Sequence, residues 1–128
     1  MKVRSTKQIN QNNIAKDLYR RRAVQNYNRA VSYRNQQDYE YVVASNLWQC
    51  MEFALMAVEQ ASNLVSRTVH NLEFHLQQLY ENGIDVDVQD VAQYDSWRSA
   101  HKGMKYEQKD LDNAFLICLQ LIDFVDNL

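Results

Sequence analysis

The sequence predicts an all-α protein, an antiparallel up-and-down bundle of four to five helices, on three observations. Proline is absent and glycine occurs only twice in 128 residues, where average usage of roughly 5% and 7% would place about six and nine. Apolar residues recur at three- and four-residue spacing along most of the chain, the period of a helix face rather than of a strand. The two glycines, Gly83 and Gly103, stand where that period breaks. At 15.2 kDa and 46% hydrophobic residues, the chain is sized for one domain around one core. No internal repeat of roughly 20 to 50 residues appears, which sets a solenoid aside.

Residues 1–12 are polar and rich in Asn and Gln, with Val3 and Ile9 as their apolar side chains. They are expected as a loose tail or a frayed first turn, because so little apolar surface does not offset the entropy of ordering. A first helix is expected over residues 13–35, with Tyr19, Ala23, Val24, Tyr27, Ala30 and Val31 on one face and Arg21, Arg22, Gln25, Asn28, Arg29 and Ser32 on the other.

The second helix is expected over residues 38–66, with Asp38 placed to cap it or to charge its N-terminus. Its apolar arc is wide: Tyr39, Val43, Leu47, Cys50, Met51, Ala54, Ala57, Val58, Ala61, Leu64 and Val65. A narrow polar stripe of Ser45, Gln49, Glu52, Glu59, Gln60 and Asn63 runs beside it, interrupted by Tyr41, Trp48 and Met56. So little polar surface marks the central helix of a bundle.

A third helix is expected over residues 70–82, closed by Asn82-Gly83, since glycine readily takes the left-handed conformation that ends a helix. Residues 84–88 alternate like a strand but lack a partner strand, so an extended connector is expected. A fourth helix over residues 89–101 would present Val91, Tyr94, Trp97 and Arg98. After Gly103 a last helix over residues 107–127 would carry Leu111, Ala114, Phe115, Cys118, Leu121, Ile122 and Val125 inward.

The net charge of −2 conceals an asymmetry. Residues 1–37 hold nine basic residues against one acid, whereas residues 38–128 hold five against fifteen. A basic first helix of this kind either packs beside acidic neighbours or meets nucleic acid, with Arg21, Arg22 and Arg29 as the candidate phosphate contacts. No unbroken apolar run exceeds the six residues of Phe53 to Val58, far short of the roughly 20 residues that span a bilayer. No secretory signal is apparent, and a soluble, cytoplasmic protein without membrane contact is expected. Cys50 and Cys118 lie in apolar helical stretches and are expected as buried thiols.

Few residues carry the patterns of catalysis. His70, Glu73 and His75 are close in sequence, but two histidines five apart diverge around a helix, and no metal or cofactor is expected. No serine sits in a nucleophile elbow, and neither glycine belongs to a phosphate-binding loop. The remaining cluster is Arg98, His101, Lys102, Lys105 and Tyr106. There an imidazole could move a proton while a guanidinium holds phosphate, or the same side chains could serve as an ion pair and a helix end.

Residues 47–58, Leu-Trp-Gln-Cys-Met-Glu-Phe-Ala-Leu-Met-Ala-Val, resemble the central-helix signature of HEPN domains, which places Gln and Glu three apart before a small and apolar run. The His70-Asn71-Leu72-Glu73 segment, Gly83 to Val86, Lys105-Tyr106-Glu107 and Asp112-Asn113-Ala114 are similar to later segments of that family. The resemblance spans about residues 38–126. It implies an antiparallel helical bundle, often dimeric, found in toxin–antitoxin, abortive-infection and nucleotidyltransferase-associated proteins. Some members are metal-independent ribonucleases with an Arg followed by a His about four to six residues later. Here Arg98 and His101 have two residues between them, Lys105 and Glu107 replace the Arg and Pro of Arg-Tyr-Pro, and Met56 replaces a frequent lysine. These departures favour a member that binds rather than cuts.

The expected function is therefore a small helical binding module, a homodimer or the partner of a nucleotidyltransferase or antitoxin. It would contact nucleotide or protein through Gln49, Glu52, Lys105 and Tyr106. A ribonuclease using Arg98 and His101 is the first alternative. An accessory protein that binds RNA or another nucleic acid through Arg21, Arg22 and Arg29 is the second.

Overall fold

The computed structural model describes residues 6–61 and 88–127, with side chains described within 14–60 and 90–127. These residues form α1 (Thr6–Tyr33), α2 (Glu40–Ala61), a short α3 (Val88–Ala92), a 3-10 helix (Asp95–Ser99) and α4 (Gln108–Asp126), with no strand among them. The expected third helix, the connector, Gly83 and the His70, Glu73 and His75 group lie outside the described residues, as does any part of α2 beyond Ala61.

Helix α1 starts at Thr6 rather than at residue 13. Residues 6–12, expected as a tail or frayed turn, continue the helix because no glycine or proline stops it and extending a formed helix needs no new nucleation. The reversal into α2 uses neither of the glycines. Asn35 and Asp38 both take φ of 70°, the left-handed region that Asn and Asp tolerate better than other side chains. Asp38 is thus a turn residue, not the cap expected of it. The Tyr39 carbonyl accepts the first helical bonds, from the Val42 and Val43 amides at 3.0 and 3.1 Å.

Two aromatic contacts fix how α1 lies on α2. Tyr19 stacks on Phe53 at 6.3 Å and Tyr33 meets Tyr39 at 5.3 Å, and each helix spends fourteen residues between its two members, in opposite directions. The helices are antiparallel, and their packing is the most extensive among the described elements. Ala23 and Ala30, seven residues apart and fully buried, let the two backbones approach.

A second pair of contacts ties α1 to α4. Arg20 pairs with Asp126 and Arg34 with Asp112, again fourteen residues apart on each helix and in opposite order. Helix α4 is therefore antiparallel to α1 and parallel to α2. The Cys118 thiol donates to the Leu47 carbonyl at 3.3 Å, which ties α4 to α2.

Helix α2 is central, as its composition suggests. Val43, Leu47, Cys50, Met51, Ala54, Ala57 and Val58 are buried. The polar stripe is narrower than expected, because Glu59 and Trp48 are buried too and Gln49 is left exposed. Trp48, which interrupts that stripe in the sequence, is covered within the chain. Both cysteines are buried free thiols, as expected.

The expected fourth helix is broken in two. After α3, Tyr94 leaves helical geometry with φ −98° and ψ 10°, and the chain re-enters as a 3-10 helix. Val91, Tyr94 and Trp97 are all buried, and their exact three-residue spacing fits three residues per turn better than 3.6. Helix α4 runs one residue inside its expected ends, with Glu107 and Asn127 as caps. Its seven expected core residues are buried, together with Ile117.

Candidate functional site

The 3-10 helix and the loop after it carry Arg98 and His101, each held by its own local partners. Arg98 donates to Asp95 at 3.0 Å and sets its guanidinium 5.4 Å from the Trp48 ring. The His101 Nδ1 accepts from the Gly103 amide at 3.1 Å, which fixes the ring and assigns the proton to Nε2 when the imidazole is neutral. A Cβ added at Gly103 would stand 3.2 Å from that nitrogen, so glycine allows the imidazole to fold back over the turn. The glycine expected merely to interrupt the helix is thus a seat for His101.

Tyr106 closes the same loop. Its hydroxyl accepts from the His101 amide at 3.1 Å and donates to the His101 carbonyl at 3.3 Å, while its ring meets Trp97 edge-on at 6.0 Å. Burial raises the Tyr106 pKa, with the bond to the His101 backbone acting against it. Tyr94 is shifted the same way by burial, while accepting from the Asn113 amide at 2.7 Å. Lys105 is exposed beside this latch, and Gln49 is exposed on α2. Glu52 is half-buried and engaged within the fold. Among the described residues no group of His, Cys, Asp and Glu could hold a metal ion.

The basic face lies where periodicity puts it. Arg21, Arg22 and Arg29 are all exposed on α1, and Arg22 reaches over the Phe53 ring at 5.7 Å.

Two features escaped the sequence. One is a cleft of about 300 Å³ at the α1–α2 reversal, lined by Tyr33, Arg34, Asn35, Glu40, Gln108 and Phe115. Arg34 lies 4.2 Å over the Phe115 ring while pairing with Asp112, so the one cation there is already engaged twice. The other is the seam between α1 and α4. Arg20, Val24, Tyr27, Val31 and Arg34 form a row on α1, and Asp112, Leu116, Leu119, Asp123 and Asp126 form the facing row on α4. The ends of the rows are the two ion pairs. Between them Val31, Leu116 and Leu119 remain 45%, 59% and 46% exposed, although Tyr27 is packed edge-on against Phe115 at 5.7 Å.

The chain matches no family model, no curated protein and no solved structure. The HEPN resemblance rests on the residues that carry it.

Proposed function

We propose that this chain is a non-catalytic helical module that works by associating with another polypeptide along the α1–α4 seam. The observation that carries this reading is the contiguous exposure of Val31, Leu116 and Leu119 inside a frame of two ion pairs. Contiguous apolar side chains rimmed by polar groups mark association surfaces, whereas singly scattered ones mark nothing. The Arg98 and His101 side chains support the same choice. Their bonds to Asp95 and Gly103 serve the loop's own geometry, and the Tyr106 hydroxyl is spent on the His101 backbone. The HEPN resemblance, in its departures from the ribonuclease pattern, agrees.

A photoreactive side chain at position 116 tests this, with one at position 96, exposed on the 3-10 helix, as control. Adducts formed at 116 and not at 96 support the seam as the working surface, and equal yields at both positions refute it. Chelator-insensitive RNA cleavage lost in His101→Ala would replace the reading with the ribonuclease one.

The exposure of Arg21, Arg22 and Arg29 on one helix favours a second reading, electrostatic binding of nucleic acid. Its mark is binding that falls steeply with salt and loses about one unit of salt slope per arginine removed.

A further inference from the structure

We propose that the cleft at the α1–α2 reversal binds a small organic cation, an ammonium group carried on a short apolar body. The site is independent of the reading of the seam, because Val31, Leu116 and Leu119 do not line it.

Three helix ends build the cleft: the last residues of α1, the first turn of α2 and the start of α4. Val43, Leu111 and Phe115 are buried and close its floor with apolar carbon. At about 300 Å³ it stands at the lower end of the range for small-molecule sites.

The hydrogen bonds within the chain decide what a ligand must bring. The Gln108 amide donates to the Asp112 carboxylate at 2.9 Å, and the Gln36 amide donates to the Ser32 carbonyl at 2.9 Å. A carboxylate and a backbone carbonyl only accept, so each bond commits the amide nitrogen to the protein and leaves the amide oxygen as an acceptor. Arg34 is held by Asp112 and lies over Phe115, which balances its charge inside the fold. Glu40 has no such balance: among the described residues its half-buried carboxylate meets no hydrogen-bond or ion-pair partner. Two amide oxygens and one uncompensated carboxylate therefore belong to the cleft. A carboxylate partly withdrawn from water favours a partner that donates hydrogen bonds and carries positive charge. The three N–H bonds of a primary ammonium match those acceptors in number, and the apolar floor receives the carbon body that a hydrated metal ion lacks.

The N-termini of α2 and α4 open at the same end, and their dipoles favour an anion. Each already has an acid in its first turn, Glu40 in α2 and Asp110 in α4. An anion seated there with Arg34 is the competing occupant.

Phenethylammonium, neutral phenylethanol and anionic phenylpropionate carry the same phenyl group and differ in charge, so together they test the proposal. Each is titrated into isotope-labelled protein over roughly 0.1–30 mM, which covers the millimolar affinity of so small a ligand, and followed by amide chemical shifts. Phenethylammonium is expected to give saturable shifts concentrated in residues 33–43 and 108–115, with phenylethanol at least about fivefold weaker. Glu40→Gln should bring the ammonium down to the affinity of the alcohol. Gln37→Glu, a second carboxylate on the exposed rim, should tighten the ammonium about twofold or more. Equal binding of ammonium and alcohol, tighter binding of phenylpropionate, or no saturable ammonium shift overturns the proposal. So does a folded Glu40→Gln that binds the ammonium as wild type does. Where Glu40→Gln does not fold, Gln37→Glu decides, and ammonium binding that it fails to tighten overturns the site.

Discussion

Replacing Ala30 by leucine would test the packing that organises the whole bundle. Ala30 is fully buried, and the register fixed by the Tyr19–Phe53 and Tyr33–Tyr39 contacts sets it at the height of Val42 on α2. Leucine adds three carbon atoms where two backbones approach through small side chains, so the helices must separate or the side chain must leave its rotamer. Overpacking of this kind costs typically 1–3 kcal/mol, while the helix propensities of leucine and alanine are close and contribute little. For 128 residues, an unfolding entropy of about 2.1 cal/mol/K per residue converts each kcal/mol into roughly 4 °C. Thermal melts followed by far-ultraviolet circular dichroism should therefore place Ala30→Leu about 4–11 °C below wild type. Val31→Leu, one residue later on the exposed side, should melt within about 1 °C of wild type, as surface changes do. Equal melting temperatures for the two variants would refute the close α1–α2 approach.

The Arg20–Asp126 pair predicts an acid-dependent stability. The guanidinium bond to Asp126 holds its carboxyl below the ordinary value of 3.8, so the contribution is present above that value and is lost as pH falls through the lower folded one. Both side chains are about 40% exposed, and solvent screening limits the pair to a few tenths of a kcal/mol, about 1 at most. Asp126→Asn should thus melt about 1–4 °C lower at pH 7 and equal wild type near pH 2; an unchanged difference at both pH values refutes the pairing. Burial drives the Cys118 thiol pKa well up, with Cys50 beside it adding to the shift. Folded protein should therefore react with a thiol reagent at least about a thousandfold more slowly than unfolded protein, the margin set by ordinary domain stability; complete labelling on mixing refutes it. Trp97, buried between Tyr94 at 4.5 Å and Tyr106 at 6.0 Å, should cost about 3–5 kcal/mol on change to alanine, or about 11–18 °C. A loss under about 4 °C would mean the 3-10 segment is not anchored by that ring.

The sequence was legible wherever one residue's helical period answered to one neighbour. All seven expected core residues of α4 are buried, and its ends were read to within a residue, because a single face decides that helix. Legibility failed where local geometry or a second neighbour decided the outcome. Periodicity treats 3.0 and 3.6 residues per turn as nearly equal over a short segment, so Val91, Tyr94 and Trp97 read as one helix although Tyr94 breaks it. Asp38 read as a cap because acids favour helix N-termini, yet φ of 70° puts it in the turn with Asn35. In a chain so poor in glycine, Asn and Asp between two helical runs were the signal for that reversal.

The seam was invisible for a different reason. Period alone assigned Val24, Tyr27 and Val31 to the same face as Ala23 and Ala30, and a one-dimensional pattern does not say how many neighbours share a face. In three dimensions the face divides. Ala23 and Ala30 turn to α2 and are fully buried, while the row from Arg20 to Arg34 turns to α4, where Val31 remains 45% exposed. The basic first helix, expected either to pack beside acidic neighbours or to meet nucleic acid, lies against the acidic last helix along that row. Two ion pairs consume part of the complementarity within the chain. Arg21 and Asp123, exposed on the same two helices, carry its two signs to the outer surface.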